Sequence, residues 1–124
     1  MKKIILIIED EELMVRMYSK LFSFEGYAVA SSTDGEHGLK KAKEENPDLI
    51  ILDIMMPKMN GLEVLEALKS NPSTKDIPVV ILTNLGNDET LKQSLQLGAV
   101  GYLVKSQVTN ETLVDEIKQY IRSN

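Results

Sequence analysis

Five times along this chain, a short and nearly unbroken apolar run gives way to a stretch in which apolar residues recur at helical spacing. The runs occupy residues 4–8, 27–31, 49–52, 79–82 and 100–104. Consecutive apolar residues, rather than alternating ones, are what a strand buried on both faces requires. Regular alternation of such strands with helices predicts an α/β fold: a doubly wound parallel sheet with helices on both faces. Of the two common doubly wound arrangements, five strands favour the flavodoxin-like order 2-1-3-4-5. The run at 27–31 is the less apolar and is expected at an edge, and 49–52 is expected at the centre.

The intervening segments carry their own punctuation. Leu13, Met17, Leu21 and Phe24 are expected to form the buried stripe of the first helix, closed by Gly26. Asp34 reads as the N-cap of the second, with Leu39 and Ala42 inward and Asn46-Pro47 as its stop. Leu62, Leu65 and Leu68 mark the third. Leu91 and Leu95 give the fourth a weak stripe, ended by Gly98, and Leu113, Val114, Ile117, Tyr120 and Ile121 give the fifth a broad one.

The length of 124 residues suits one domain, expected to span 1–124. There is no cysteine, which excludes disulfides and thiolate metal sites and fits a cytoplasmic location. A net charge of -5 argues against direct nucleic-acid binding and against anionic membranes. The apolar run at 4–8 is too short to cross a bilayer. It meets Glu9-Asp10-Glu11-Glu12 at once, so it reads as a strand and not as a leader.

In a sheet of this kind, ligands bind beyond the carboxyl ends of the strands. Glu9 and Asp10 follow the first strand, Asp53 the third, Thr83 the fourth and Lys105 the fifth. Two carboxylates about 4 Å apart repel by roughly 4 kcal/mol at an effective dielectric of ~20, so three together call for a cation. A hard divalent ion with oxygen ligands suits them, and Mg²⁺ is the usual choice beside phosphate. A carboxylate nucleophile, a divalent metal, a lysine and a hydroxyl are the parts of an in-line phosphoryl transfer. Glu11 and Glu12 read differently, as acidic residues favoured at a helix N-terminus. His37 reads as a surface residue, and Met55, Met56 and Met59 as loop packing.

The stretches ILIIEDEE, PDLIILDIMMPKMNGLE, IPVVILTN and GAVGYLVK resemble the response-regulator receiver family along the whole chain. The resemblance implies that Asp53 is the phospho-acceptor. It implies that Glu9, Asp10, Asp53 and the backbone carbonyl of Met55 hold Mg²⁺, and that Thr83 and Lys105 bind the phosphoryl group. Tyr102 matches the aromatic that changes rotamer when Thr83 moves, shifting a surface formed by the fourth helix, fifth strand and fifth helix. The implied phosphodonor is a histidine kinase or histidine phosphotransfer protein, and the implied output is a downstream effector protein or a phosphorylation-dependent dimer. Such a domain turns over no external substrate and catalyses only its own phosphorylation and dephosphorylation.

Three positions depart from the family pattern. Ser106 stands where proline usually follows the lysine after a cis bond. A cis bond before a non-proline residue costs ~3 kcal/mol, so Lys105–Ser106 is expected to be trans. Asn84 follows Thr83 where a small residue is usual, and could either crowd Asp53 or bond to the phosphoryl group. Met55 and Leu85 flank the acceptor and cannot orient a water by hydrogen bonding, which implies a slowly hydrolysing phospho-form. The alternative reading is a phosphorylation-independent interaction domain of the same fold. An aspartyl phosphatase commonly places a second Asp where Met55 stands, and a flavodoxin needs a phosphate-cradling loop where the acidic run lies.

Overall fold

A computed structural model describes residues 2–122. Five parallel strands, β1 (Ile4–Ile8), β2 (Ala28–Ser32), β3 (Leu49–Leu52), β4 (Val79–Thr83) and β5 (Gly101–Val104), form one sheet in the order β2-β1-β3-β4-β5. This is the expected order, with β2 at an edge and β3 at the centre. The helices are α1 (Glu12–Phe24), α2 (Gly35–Glu45), α3 (Gly61–Ser70), α4 (Asp88–Gln96) and α5 (Asn110–Tyr120).

The double winding divides the apolar strands into two cores. Leu6 and Ile8 of β1 join Ile50, Leu52, Val79 and Ile81 on one face, where α3 lays down Val64, Leu65 and Leu68. Ile5 and Ile7 join Leu49, Ile51, Val80 and Leu82 on the other, covered by Tyr18 and Phe22 of α1 and by Leu113, Val114 and Ile117 of α5. Successive strand residues point to opposite faces, so only an unbroken apolar run can supply both.

Two helices bury different faces from those expected. In α1 the buried residues are Val15, Tyr18 and Phe22, and of the expected stripe only Leu21 packs against their core, while Leu13 and Phe24 are 77% and 88% exposed and Met17 is also exposed. The chain offers two apolar stripes on opposite sides of this helix. The aromatic stripe is the one turned toward β1 and β2, with Phe22 packed edge-on to Tyr27 at 6.3 Å. In α4 the inward residues are Thr90 and Ser94, and Leu95 is exposed. The Ser94 hydroxyl donates to the Thr90 carbonyl at 2.8 Å, so this polar face is satisfied internally.

The helix ends match their signals. Asp34 caps α2 by accepting from the His37 amide at 2.8 Å, and Asn46 ends that helix in the left-handed region at φ 45°. Gly26, at φ +97°, turns the chain out of α1. Asn60 caps α3 in a reciprocal capping box with Glu63. Just after this cap, the Gly61 N–H donates to the Ile54 carbonyl at 2.9 Å and ties the start of α3 to the segment after β3, where the site lies.

Candidate functional site

The carboxyl ends of β1 and β3 lie side by side, with Ile8 in register with Leu52. The residues that follow are therefore forced together. Carboxylate oxygens of Glu9, Asp10 and Asp53 all lie within 4.8 Å of one another. Glu9 and Asp53 are buried and Asp10 is half-buried. Three carboxylates offering only hard oxygen atoms fit a small divalent ion such as Mg²⁺.

Lys105 is the cation that this structure places among them. Its ammonium donates to Glu9 Oε1 and, at 3.0 Å, to Asp53 Oδ2. It leaves the end of β5 in a single 3-10 turn over Lys105–Gln107, and none of the described peptide bonds is cis, including Lys105–Ser106. Backbone amides complete the cluster. The Glu11 N–H donates to Glu9 Oε2 at 3.1 Å and the Met55 N–H to Asp53 Oδ1 at 3.0 Å.

Burial pushes the Glu9 carboxyl up to about 7, helped by the charge of Asp53 and opposed by its bonds to Lys105 and to Glu11. Burial pulls Lys105 the other way, yet its bonds to Glu9 and Asp53 outweigh this and hold it above the usual lysine range. Glu9 thus binds a proton in the folded chain that it releases in the unfolded one between about 4.5 and about 7. Its contribution to the stability of the metal-free protein is present below that window and lost as pH rises through it. A metal on the triad must displace the same proton. Mg²⁺ affinity is therefore expected to rise by about tenfold per pH unit below pH ~7 and to level off above it. Calorimetric titration at fixed ionic strength measures this, and a flat profile would contradict the protonated Glu9.

Thr83, at the end of β4, is fully buried, and its hydroxyl accepts from the Leu85 N–H at 3.3 Å. Tyr102 lies half-buried on β5, and its hydroxyl donates to the carbonyl of the same Leu85. Burial, reinforced by the charge of Asp53, raises Tyr102 above its usual range. Leu85 is thus a shared backbone partner of both residues, a link not visible in the chain because it runs through main-chain atoms.

A cavity of about 170 Å³ opens onto Asp53, lined by Asp10, Glu11, Asp53, Met55, Asn84 and Lys105. Met56 packs into the core and Met59 packs against it, as expected, but Met55 is exposed at this mouth. His37 lies away from the site on the surface, its Nδ1 2.6 Å from Asp34 Oδ2. Glu12 sits in the first turn of α1, as expected of a residue favoured by the helix dipole.

The family model described as the response regulator receiver domain matches residues 5–118. The chain belongs to this family. As a receiver domain it is a signalling domain of two-component response regulators and not a classical enzyme. It is 32% identical to the polar-differentiation response regulator DivK of Brucella ovis, over 98% of both chains. It is 39% identical to the transcriptional regulatory protein PhoP of Bacillus subtilis, over 85% of this chain but only 43% of that one. This receiver therefore spans less than half the length of PhoP. The structure of the chemotaxis protein CheY4 of Vibrio cholerae superposes with a TM-score of 0.91 at 30% identity, covering 98% of this receiver and all of that chain.

Proposed function

We propose that this receiver, one domain over 1–124, takes a phosphoryl group on Asp53 in a Mg²⁺-dependent reaction and relays that event to a partner protein. The observation that carries this reading is the convergence of Glu9, Asp10 and Asp53, with Lys105 bound to two of the three. Glu9, Asp10 and Asp53, with the Met55 carbonyl, would hold the metal, which supplies positive charge to the phosphoryl oxygens. An Asp53 oxygen attacks phosphorus in line. The bond from phosphorus to the donor's imidazole nitrogen breaks, and its electron pair stays on that nitrogen. Lys105 moves from pairing two carboxylates to pairing a phosphoryl oxygen, and Thr83 offers its hydroxyl proton to another.

Thr83 cannot move toward the phosphoryl group without disturbing Leu85, whose N–H it accepts and whose carbonyl holds Tyr102. In this reading, the displaced β4–α4 loop re-aims Tyr102 and shifts the α4–β5–α5 surface toward an effector or a second copy. The small polar contacts through which α4 packs, Thr90 and Ser94, suit an element that moves at low cost.

The phosphodonor protein would dock along α1, in the cytoplasm. Leu13, Met17 and Phe24 form an exposed stripe with the 4- and 7-residue steps of a helix–helix seam. The stripe begins three residues after Asp10, which lines the mouth above Asp53. Leu13→Ser with Phe24→Ser is expected to slow transfer from a phosphohistidine protein by ~10-fold or more while leaving uptake from acetyl phosphate unchanged. Equal slowing with both donors would argue against the docking role.

The acceptor is tested by intact mass after incubation with acetyl phosphate, with and without Mg²⁺, on wild type and Asp53→Asn. One added phosphoryl group that needs both Mg²⁺ and Asp53 is the expected result. No adduct on a folded protein that also fails to bind beryllofluoride would overturn it in favour of a phosphorylation-independent module.

A further inference from the structure

β2 is an edge strand, and the backbone groups along its outer side face no other strand. The Ala28 N–H donates to the Lys3 carbonyl, and the Ser32 carbonyl accepts from the Glu9 N–H, so Ala28 and Ser32 turn their main-chain groups toward β1. Successive residues of a strand alternate in this respect. Ala30 therefore also faces β1, while Val29 and Ser31 present their N–H and carbonyl groups to the open edge. Such an edge is a template for one more strand. Among the described residues, one group is bonded to it. The Lys41 ammonium reaches across from α2 and donates to the outward Ser31 carbonyl at 2.6 Å. Lys41 is half-buried there, with its charge held on the edge.

The strand is its own complement. Residues 26–33 hold no charged side chain, so β2 offers nothing that repels a second β2. An antiparallel pairing about a two-fold axis at Ala30 sets Val29 of one copy opposite Ser31 of the other. Both residues point outward, so each such pair exchanges two N–H···O bonds, and the two-fold repeats the pair. The side chains at the axis, Ala30 and Ser31, are small enough to let two backbones approach. Lys41 opposes this pairing in two ways. It occupies a carbonyl that the pairing needs, and the two-fold would bring the ammonium groups of both copies to the same seam. We propose that Lys41 guards the β2 edge against a second copy of this chain, and that removing its charge opens the edge to a symmetric dimer whose sheet runs through both copies. This surface lies at the opposite end of the strand order from β5, so it is separate from the α4–β5–α5 face and does not rest on phosphorylation of Asp53.

Sedimentation velocity over a concentration series reads the self-association of wild type, Lys41→Met, Lys41→Arg and the double variant Lys41→Met with Ser31→Pro. Methionine keeps an unbranched stem and removes both charge and donor, whereas arginine keeps both. Proline at position 31 removes an N–H that β1 does not use and obstructs the edge, so it blocks strand addition while sparing the ladder. Lys41→Met is expected to dimerise ~10-fold more tightly than wild type, as the release of one carbonyl per copy predicts. Lys41→Arg should stay with wild type, and Ser31→Pro should reverse the gain. Association of Lys41→Met no tighter than that of wild type would overturn the guard. So would an equal gain in Lys41→Arg, or a gain that survives Ser31→Pro and hence lies elsewhere on the surface. Amide hydrogen exchange gives a second reading that needs no proline. The Val29 and Ser31 N–H groups of Lys41→Met should gain protection as concentration rises, and a dimer that leaves their exchange unchanged would overturn the assignment to β2. Circular dichroism confirms that each variant is folded.

Discussion

Gly61→Ala is expected to destabilise the protein by about 3 kcal/mol, the upper range for an overpacked core position, and to slow phosphoryl uptake by Asp53 at least ~10-fold. A β-carbon at Gly61 would sit 2.3 Å from the Asp53 carbonyl oxygen and 2.5 Å from the Ile54 α-carbon. Both are backbone atoms at the end of a central strand, so neither can swing aside as a side-chain tip would. The Gly61 N–H also donates to the Ile54 carbonyl at 2.9 Å, which pins the start of α3 to the segment that carries the acceptor. The new methyl group must lever α3 away or push Asp53 off the triad. Urea unfolding and the initial rate with acetyl phosphate measure the two effects. Gly26→Ala is the informative contrast. Nothing lies within 4 Å of its β-carbon, so only its φ of +97° is strained, and it should leave the phosphorylation rate unchanged. Equal effects of the two substitutions would refute the close-approach argument.

Lys105→Ala is expected to be the second large effect, and to depend on pH. It removes the cation shared by Glu9 and Asp53, leaving two buried carboxylates without it. Breaking a buried pair by deleting one partner costs about 3 kcal/mol or more. Here Glu9 can relieve the cost by taking a proton, since burial already holds its carboxyl at about 7. The destabilisation should therefore be larger at pH 8 than at pH 5, and Mg²⁺ should shrink it at pH 8 by replacing the lost charge. Phosphoryl uptake should fall ~100-fold, because charge on the transferring group loses a dedicated partner. Denaturant unfolding at the two pH values, with and without Mg²⁺, tests the stability claim. A pH-independent loss would mean that Lys105 acts through its packing and not its charge.

The exposed Leu13 and Phe24 mark where reading the chain alone misled. Both stripes of α1 have helical periodicity, and no local rule ranks a leucine-and-phenylalanine stripe below one of valine, tyrosine and phenylalanine. The ranking comes from which stripe the chain turns toward β1 and β2, where Phe22 is fully buried. The same holds for α4, where Leu91 and Leu95 looked inward by type while Thr90 and Ser94 are inward by geometry. The hydroxyl bond from Ser94 to the Thr90 carbonyl lets a polar face be buried there.

Strand order, the edge and central positions, and the gathering of Glu9, Asp10, Asp53 and Lys105 at one end of the sheet were determined by the sequence itself. Unbroken apolar runs separated by single helices admit few topologies, and in a parallel sheet every strand ends on the same edge. Residues next to those ends must therefore meet, whatever the details of packing. Tertiary structure alone decided which face of α1 stays exposed, that Leu85 joins Thr83 to Tyr102 through its backbone, and that Gly61 approaches the main chain of Asp53. Each of these depends on distances of a few ångströms between segments far apart in the chain, which residue type and spacing do not encode.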